Sequence, residues 1–364
     1  MKVLHVITNA DIGGIERLVA QICRELRVAH GATSDILCTM RGEGTLNGYL
    51  QSLGIVCLSG KLSSGMDFQP WKLHRIKRMM RDYDVVHIHS ANFFVILTAY
   101  LSGRKVCFSE HGGFGFGSAL SWRKRCMQKL KGFALRHWVD RVFFNSEFSR
   151  QTAILRYGAK LGNGLVIYNG VEQLPPAGAI DAETQARTAG KFVVCVAARF
   201  ARVKRIDRLI AAFDLFRRSH PDALLLLVGD GPLRAEYEEQ IRRLQLEELV
   251  HFAGFRQNVY DYLRCADVSV LPSANEAFGL SYIESLAAGT ACVVFADGGG
   301  LAEIARQFDP ADVVPDEAGL ARRLAYYRHD DKDAAARRQA FAGRFSMEKM
   351  VNTLYQEYQA QANG

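Results

Sequence analysis

The densest chemistry in this 364-residue chain lies in Asn275-Glu276-Ala277-Phe278-Gly279-Leu280-Ser281-Tyr282-Ile283-Glu284. Two carboxylates stand eight positions apart there. Gly279 argues against one continuous helix, so Glu276 is expected on a loop and Glu284 one turn into the helix that follows. Carboxylates placed this way can each accept two hydrogen bonds from a polyol. A general acid/base pair for glycoside hydrolysis competes with that reading, and salt-bridged surface glutamates are the plainest alternative. A second cluster, Ala198-Arg199-Phe200-Ala201-Arg202-Val203-Lys204-Arg205, directly follows the apolar run Phe192–Ala197. Basic residues at the carboxyl end of a parallel strand face the ligand crevice. Arg199 could hold a diphosphate there by paired hydrogen bonds and Lys204 by point charge, unless the loop is merely solvated. The third is Gly13-Gly14, a turn between a strand and a helix start. It could bring backbone amides to a phosphate. It has neither the GxGxxG nor the GxxxxGK[ST] spacing, so a plain turn fits as well.

Metal sites are not expected. Asp82-Tyr83-Asp84 precedes the strand Val85–His89 and so lies at its amino end, away from the crevice; Asp331-Lys332-Asp333 sits in a polar stretch. His87 and His89 share one face of their strand, and no third ligand stands at a suitable spacing, so packed histidines are expected rather than a zinc site.

Parallel sheets must position these residues. Near-continuous apolar runs (Lys2–Thr8, Asp35–Thr39, Val85–His89, Lys105–Ser109, Arg141–Asn145 and Leu165–Ile167, then Phe192–Ala197, Ala223–Gly229, Val250–Ala253, Val268–Leu271 and Ala291–Phe295) alternate with amphipathic stretches. That pattern predicts an α/β protein of two tandem, Rossmann-like, doubly wound domains, with the site in a cleft between them. The expected organisation is a first domain over 1–170, a Pro/Gly-rich linker over 171–190 and a second domain over 191–345. A tail helix over 346–364 is expected to return to the first domain.

Hydrophobic residues make up 49% and charged residues 23%, a soluble globular balance that excludes disorder. No apolar run approaches the ~20 residues of a membrane span. The eight cysteines sit beside apolar neighbours without CxxC spacing, which suits reduced thiols and a cytoplasmic location. Charge is uneven: residues 1–169 carry 23 Lys and Arg against 11 Asp and Glu, whereas residues 170–364 carry 23 against 27. One basic half is expected to meet something anionic. Its charge concentrates in Trp71–Arg81 and in the helix expected over Ser121–Val139, where Trp122 precedes Arg123, Lys124 and Arg125. Phe114 and Phe116 stand in a glycine-rich loop just before. Basic helices with aromatics suit an anionic bilayer surface. No nucleic-acid module is present.

The stretch Glu276–Glu284 with Ser285–Thr290 closely resembles the E-x7-E signature of the retaining glycosyltransferases of family 4, which have the GT-B fold. The likeness runs along almost the whole chain in order, through Gly13-Gly14, Ser109-Glu110-His111-Gly112, Arg199 with Lys204, Leu227–Pro232, Val250–Gly254 and Gly298–Glu303. The resemblance implies that Arg199 and Lys204 hold the diphosphate of a sugar nucleotide, with Gly14 amides nearby. It implies Glu284 on the ribose and Glu276 on the donor sugar. Amides at Phe278, Gly279 and Leu280 and at Gly299 and Gly300 would complete the contacts. His111 would stand beside the anomeric carbon, and the loop at Phe255 against the base. The implied function is metal-independent, retaining transfer, without any cofactor, from a UDP- or GDP-type sugar. The acceptor would be a lipid-linked glycan in envelope polysaccharide synthesis, met at the inner face of the cytoplasmic membrane. A phosphorylase or epimerase of the same fold, or a sugar-nucleotide-binding module without turnover, are the alternatives.

Overall fold

Strands that are apolar on both faces need helices over both faces, and the chain folds accordingly. A computed structural model describes every residue except 12, 41, 43, 64–68, 90–91, 113–121, 158–160, 162–163, 330–333 and 364, and the side chains of Arg123 and Lys124. The chain divides into two units, Met1–Glu172 with Met347–Gly364, and Gln173–Ser346.

In the first unit, β1 (Lys2–Ile7), β2 (Thr33–Cys38), β3 (Cys57–Ser59), β4 (Val85–Ile88), β5 (Lys105–Glu110), β6 (Arg141–Phe144) and β7 (Gly164–Val166) form one parallel sheet. The spatial order is β3-β2-β1-β4-β5-β6-β7. In the second, β8 (Phe192–Ala197), β9 (Ala223–Val228), β10 (Val250–Gly254), β11 (Val268–Leu271), β12 (Ala291–Phe295) and β13 (Val313–Val314) pair in the order β10-β9-β8-β11-β12-β13, again all parallel. The winding reverses at β1/β4 and at β8/β11, and such switch points open crevices at the carboxyl ends of the strands. These are two Rossmann-like halves.

Alternation along β8 shows how both faces fill. Val194 and Val196 join one buried cluster with Phe213 and Leu225, and Val193 and Cys195 join another with Leu226 and Tyr262. The tail forms the helix Met347–Asn363, whose Met350, Val351, Leu354 and Tyr358 pack on Val3, Ile22, Val85 and Cys107 of the first unit. The stretch 171–190, expected to be a linker, instead holds the helix Ala182–Thr188, started by an Asp181 carboxylate that accepts from the Thr184 N–H at 3.0 Å. Among the described residues no helix is long and apolar enough to cross a membrane.

Candidate active site

Past the end of β8, the chain runs through the exposed Arg199 into a single 3-10 turn, Arg202–Lys204. The neighbouring strand end fixes this loop. Gly229 adopts φ 134°, and a Cβ there would lie 2.0 Å from the Ala198 carbonyl oxygen, so only glycine lets the two strand ends close. The Phe200 N–H then donates to the Asp230 carbonyl at 2.9 Å. Ala274 N–H donates to the Val203 carbonyl at 3.3 Å, which ties the basic loop to the loop carrying Glu276.

Glu276 is held by its backbone in both directions. Its N–H donates to the Gly298 carbonyl at 3.1 Å, and its carbonyl accepts from the Gly300 N–H at 2.8 Å. The Gly300 amide, expected to face a phosphate or sugar, is therefore committed to the backbone. The Glu276 side chain accepts an ion-paired hydrogen bond from Lys204 Nζ. Gly279 takes φ 96° and starts the helix Leu280–Ala287; a Cβ there would sit 2.5 Å from Leu301 Cδ1. Phe278 is buried, with its ring against Phe345. Glu276 is on a loop and Glu284 is the fifth residue of the helix, where it accepts from Tyr260 Oη at 3.1 Å. Gly299 has φ 68° and precedes the helix Gly300–Phe308, and Phe255 is 75% exposed beyond β10.

One contributor was not anticipated. Arg208 lies with its guanidinium 3.7 Å from the Phe295 ring centroid, donates to both oxygens of Asp297 and pairs with Glu317 at 2.8 Å. Asp297 in turn accepts from the Asn275 N–H, so Arg208 braces the turn against which Glu276 is bound. A basic residue in an amphipathic helix gives no sequence signal of that kind.

In the first unit, Gly13 is extended (φ −136°) before the helix Gly14–His30, with Gly14 exposed. His111 follows β5. Strand alternation puts His5, His87, His89, Ser109 and His111 on the face shared with Val3, Val85 and Cys107. His5 faces His87 in the β1–β4 register. His5 Nδ1 lies 2.9 Å from His89 Nε2, and His89 Nδ1 lies 2.9 Å from His111 Nε2. Burial pulls His5 down to about 3 and His111 down to about 4, and holds His87 and His89 well below the usual histidine range. All four imidazoles are neutral at neutral pH.

β1 thus supplies a third imidazole that the spacing of His87 and His89 did not reveal. Possible ligand atoms of His5, His87 and His89 lie within 4.8 Å of one another. The group is nonetheless a poor metal site. His87 already meets Tyr358 Oη at 2.5 Å through Nδ1 and Ser109 Oγ at 2.8 Å through Nε2. Of the acidic pairs, Asp84 accepts the Lys2 N–H at 2.8 Å at the amino end of the sheet, and Asp331 with Asp333 lies outside the described residues.

Phe114 and Phe116 also lie outside the described residues, as do the side chains of Arg123 and Lys124. The helix Trp122–His137 presents Trp122 at 73% exposure, with Arg125 and Lys129 exposed. Lys131, farther along the same helix, turns inward. It lies 3.7 Å from Glu110 and 4.6 Å from the Phe108 ring centroid.

Residues 12–173 match the family described as Glycosyltransferase Family 4, and residues 180–355 match Glycosyl transferases group 1. The chain is a family 4 glycosyltransferase. Bacillus subtilis (strain 168) EpsF is 26% identical to it over 325 residues, 80% of this chain and 78% of EpsF. The phosphatidylinositol N-acetylglucosaminyltransferase GPI3 subunit of Saccharomyces cerevisiae is 28% identical over 246 residues, 65% of this chain and 53% of that subunit. The glycosyltransferase therefore spans about half the length of the yeast relative. Anabaena HepE, solved with UDP, superimposes with a TM-score of 0.82 at 20% identity, covering 99% of this chain and all of HepE. HepE has also been solved with UDP-glucose. The shared architecture is GT-B.

Proposed function

We propose that this glycosyltransferase moves a hexose-type unit, with retention and without a metal or other cofactor, from a nucleoside diphosphate sugar to a hydroxyl of a lipid-linked glycan. The observation that carries the reading is the contact between Lys204 and Glu276 on two linked loops. It sets a phosphate-seeking cation against a hydroxyl-seeking carboxylate, as a sugar diphosphate requires. Arg199 and Lys204 hold the diphosphate, Glu284 the ribose, Glu276 the donor sugar and the Phe255 loop the base. Gly13 and Gly14 lie beside the phosphates, and His111 beside the anomeric carbon. As the bond from the anomeric carbon to the phosphate oxygen breaks, the leaving diphosphate gains negative charge that fixed cations stabilise. The acceptor hydroxyl attacks on the same face and passes its proton to a leaving phosphate oxygen, so no enzyme nucleophile is needed.

The UDP and UDP-glucose complexes of HepE favour a uridine donor as the first to test. The name of the yeast relative favours an acceptor with a lipid. Exposed Trp71 and Trp122 beside the basic surface favour peripheral attachment at the cytoplasmic face of an anionic membrane.

The test is incubation with UDP- or GDP-sugars and polyprenyl diphosphate glycans in anionic vesicles, with and without chelator. The expected product keeps the donor's anomeric configuration, and chelator leaves the rate unchanged. An inverted product overturns retention, and a rate abolished by chelator overturns metal independence. Sugar-nucleotide binding without turnover identifies a binding module, and sugar phosphate formed from inorganic phosphate identifies a phosphorylase.

A further inference from the structure

The buried histidines form a directed chain. Each neutral imidazole has one N–H and one lone pair, so the contacts His5–His89 and His89–His111 must run in the same sense. His5 decides which. Its Nε2 is buried and has no hydrogen-bond partner among the described residues. Were that nitrogen protonated, the protein would contain an orphaned buried N–H donor, which is rarer and costlier than an unused lone pair. His5 therefore carries its proton on Nδ1 and donates to His89 Nε2. His89 must then be protonated on Nδ1, which donates to His111 Nε2. His111 is left with Nδ1–H as its outgoing donor.

We propose that His5 and His89 are positioning residues that lock His111 in the Nδ1–H form, so that it meets the donor sugar as a hydrogen-bond donor and not as a base. The proposal rests on the reading of His111 as a site residue. The same face supports it mechanically: His87, between Tyr358 and Ser109, packs with its ring centroid 4.0 Å from that of His89 and keeps the ring from turning. Burial keeps the chain neutral, with only Glu110 acting in the opposite direction on His111. The device is built from the tail helix as well as the sheet, since Tyr358 belongs to Met347–Asn363.

The test is histidine tautomer state by long-range 1H–15N correlation on the whole protein, read beside UDP binding and UDP-glucose turnover. In the wild type, His89 and His111 are expected as single Nδ1–H tautomers. His89→Leu should release His111 toward Nε2–H and lower turnover about tenfold or more, the scale of losing an orienting partner. UDP affinity should be unchanged. His89→Asn, whose side-chain N–H can stand in for Nδ1–H, should restore both the tautomer and most of the rate. A wild-type His111 protonated on Nε2, or a His111 tautomer indifferent to His89→Leu, overturns the proposal. If His111→Ala leaves turnover intact while the tautomers are as stated, the reading of His111 as a site residue fails and the relay stands.

Discussion

Lys204 and Glu276, 72 positions apart, are joined as an ion pair, with Lys204 Nζ donating to a Glu276 carboxylate oxygen. Both side chains are largely withdrawn from water, 29% and 18% exposed, and each offsets the other's charge. A diphosphate would compete with Glu276 for Lys204, and the freed carboxylate would become available to sugar hydroxyls. Glu276→Gln removes that competition. Free UDP should bind at least as tightly as to the wild type, whereas UDP-glucose turnover should fall. Calorimetry and a turnover assay read the split. Equal weakening of UDP and UDP-glucose binding would show that Glu276 does not serve the sugar.

Removing the cations acts in the other direction. Lys204→Ala and Arg199→Ala should each weaken UDP binding and slow transfer by roughly a hundredfold or more, the about 2.7–4 kcal/mol of losing one aimed donor. Lys204→Ala should be the worse of the two, because it also leaves Glu276 without its partner, whereas Arg199 stands exposed. A slow rate with unchanged UDP affinity in both variants would remove the loop from the diphosphate.

Arg208→Met should keep the packing on Phe295 while losing Asp297 and Glu317. Both carboxylates are partly solvated, 52% and 35% exposed, so the stability loss should be about 1–2 kcal/mol rather than that of a fully buried pair. The larger effect should be on turnover, through the Asp297–Gly300 turn that holds Glu276. Thermal unfolding and turnover measured on the same preparation separate the two.

Much of this was legible from the sequence. β8, β11 and β12 are continuous apolar runs, and their ends were read to the residue. β3 and β13 were missed because three half-exposed residues and a two-residue pair give no period to count. Within the site, the glycine at 279 and the loop position of Glu276 follow from local rules. The partners do not. His5 meets His89 and Arg208 meets Asp297 only because strands and helices far apart in sequence are brought together, and pattern within a window carries no trace of that pairing. Lys131 likewise meets its ion-pair partner, Glu110, only through the fold, 21 positions away in sequence.

The buried imidazoles set an acid limit on the first unit. Each is neutral when folded, with its pKa below the unfolded value of 6.5. Below about pH 6.5 the unfolded chain therefore binds more protons than the folded one, and stability falls as pH falls. For His5 the gap extends to about 3, and each pH unit across it is worth about 1.4 kcal/mol. The second unit behaves differently. It has one imidazole held low by burial, His251, against four in the first unit; Asp181, Asp214, Asp222 and Asp261 are held low, so their contribution is lost only nearer pH 4 and below, whereas burial pushes Asp312 up. Hydrogen exchange near pH 5 should find β1, β4 and β5 opening while β8, β9 and β11 stay protected. His5→Gln should move the first transition to lower pH. Simultaneous opening of both units, or a transition insensitive to His5, would contradict this.

Membrane attachment has its own signature. Each basic side chain near an anionic surface is worth about 1 kcal/mol, so Arg123/Lys124/Arg125→Glu should cost about 3 kcal/mol or more, roughly a hundredfold in vesicle affinity. The wild type should lose binding as salt rises, because exposed charges are screened over about 10 Å at 0.1 M. Trp122→Ala tests the apolar part of the same helix end. Trp122 is 73% exposed, and burying an indole in the interface is not screened by ions. Its loss should therefore weaken binding at low and high salt alike, while leaving UDP affinity untouched because the cations proposed to hold the diphosphate lie in the other unit. Co-sedimentation with phosphatidylglycerol vesicles at two salt concentrations distinguishes the two contributions. If the charge-reversed protein sediments like the wild type at low salt, the start of the helix Trp122–His137 is not the attachment surface, and the basic stretch with exposed Trp71 becomes the next to reverse.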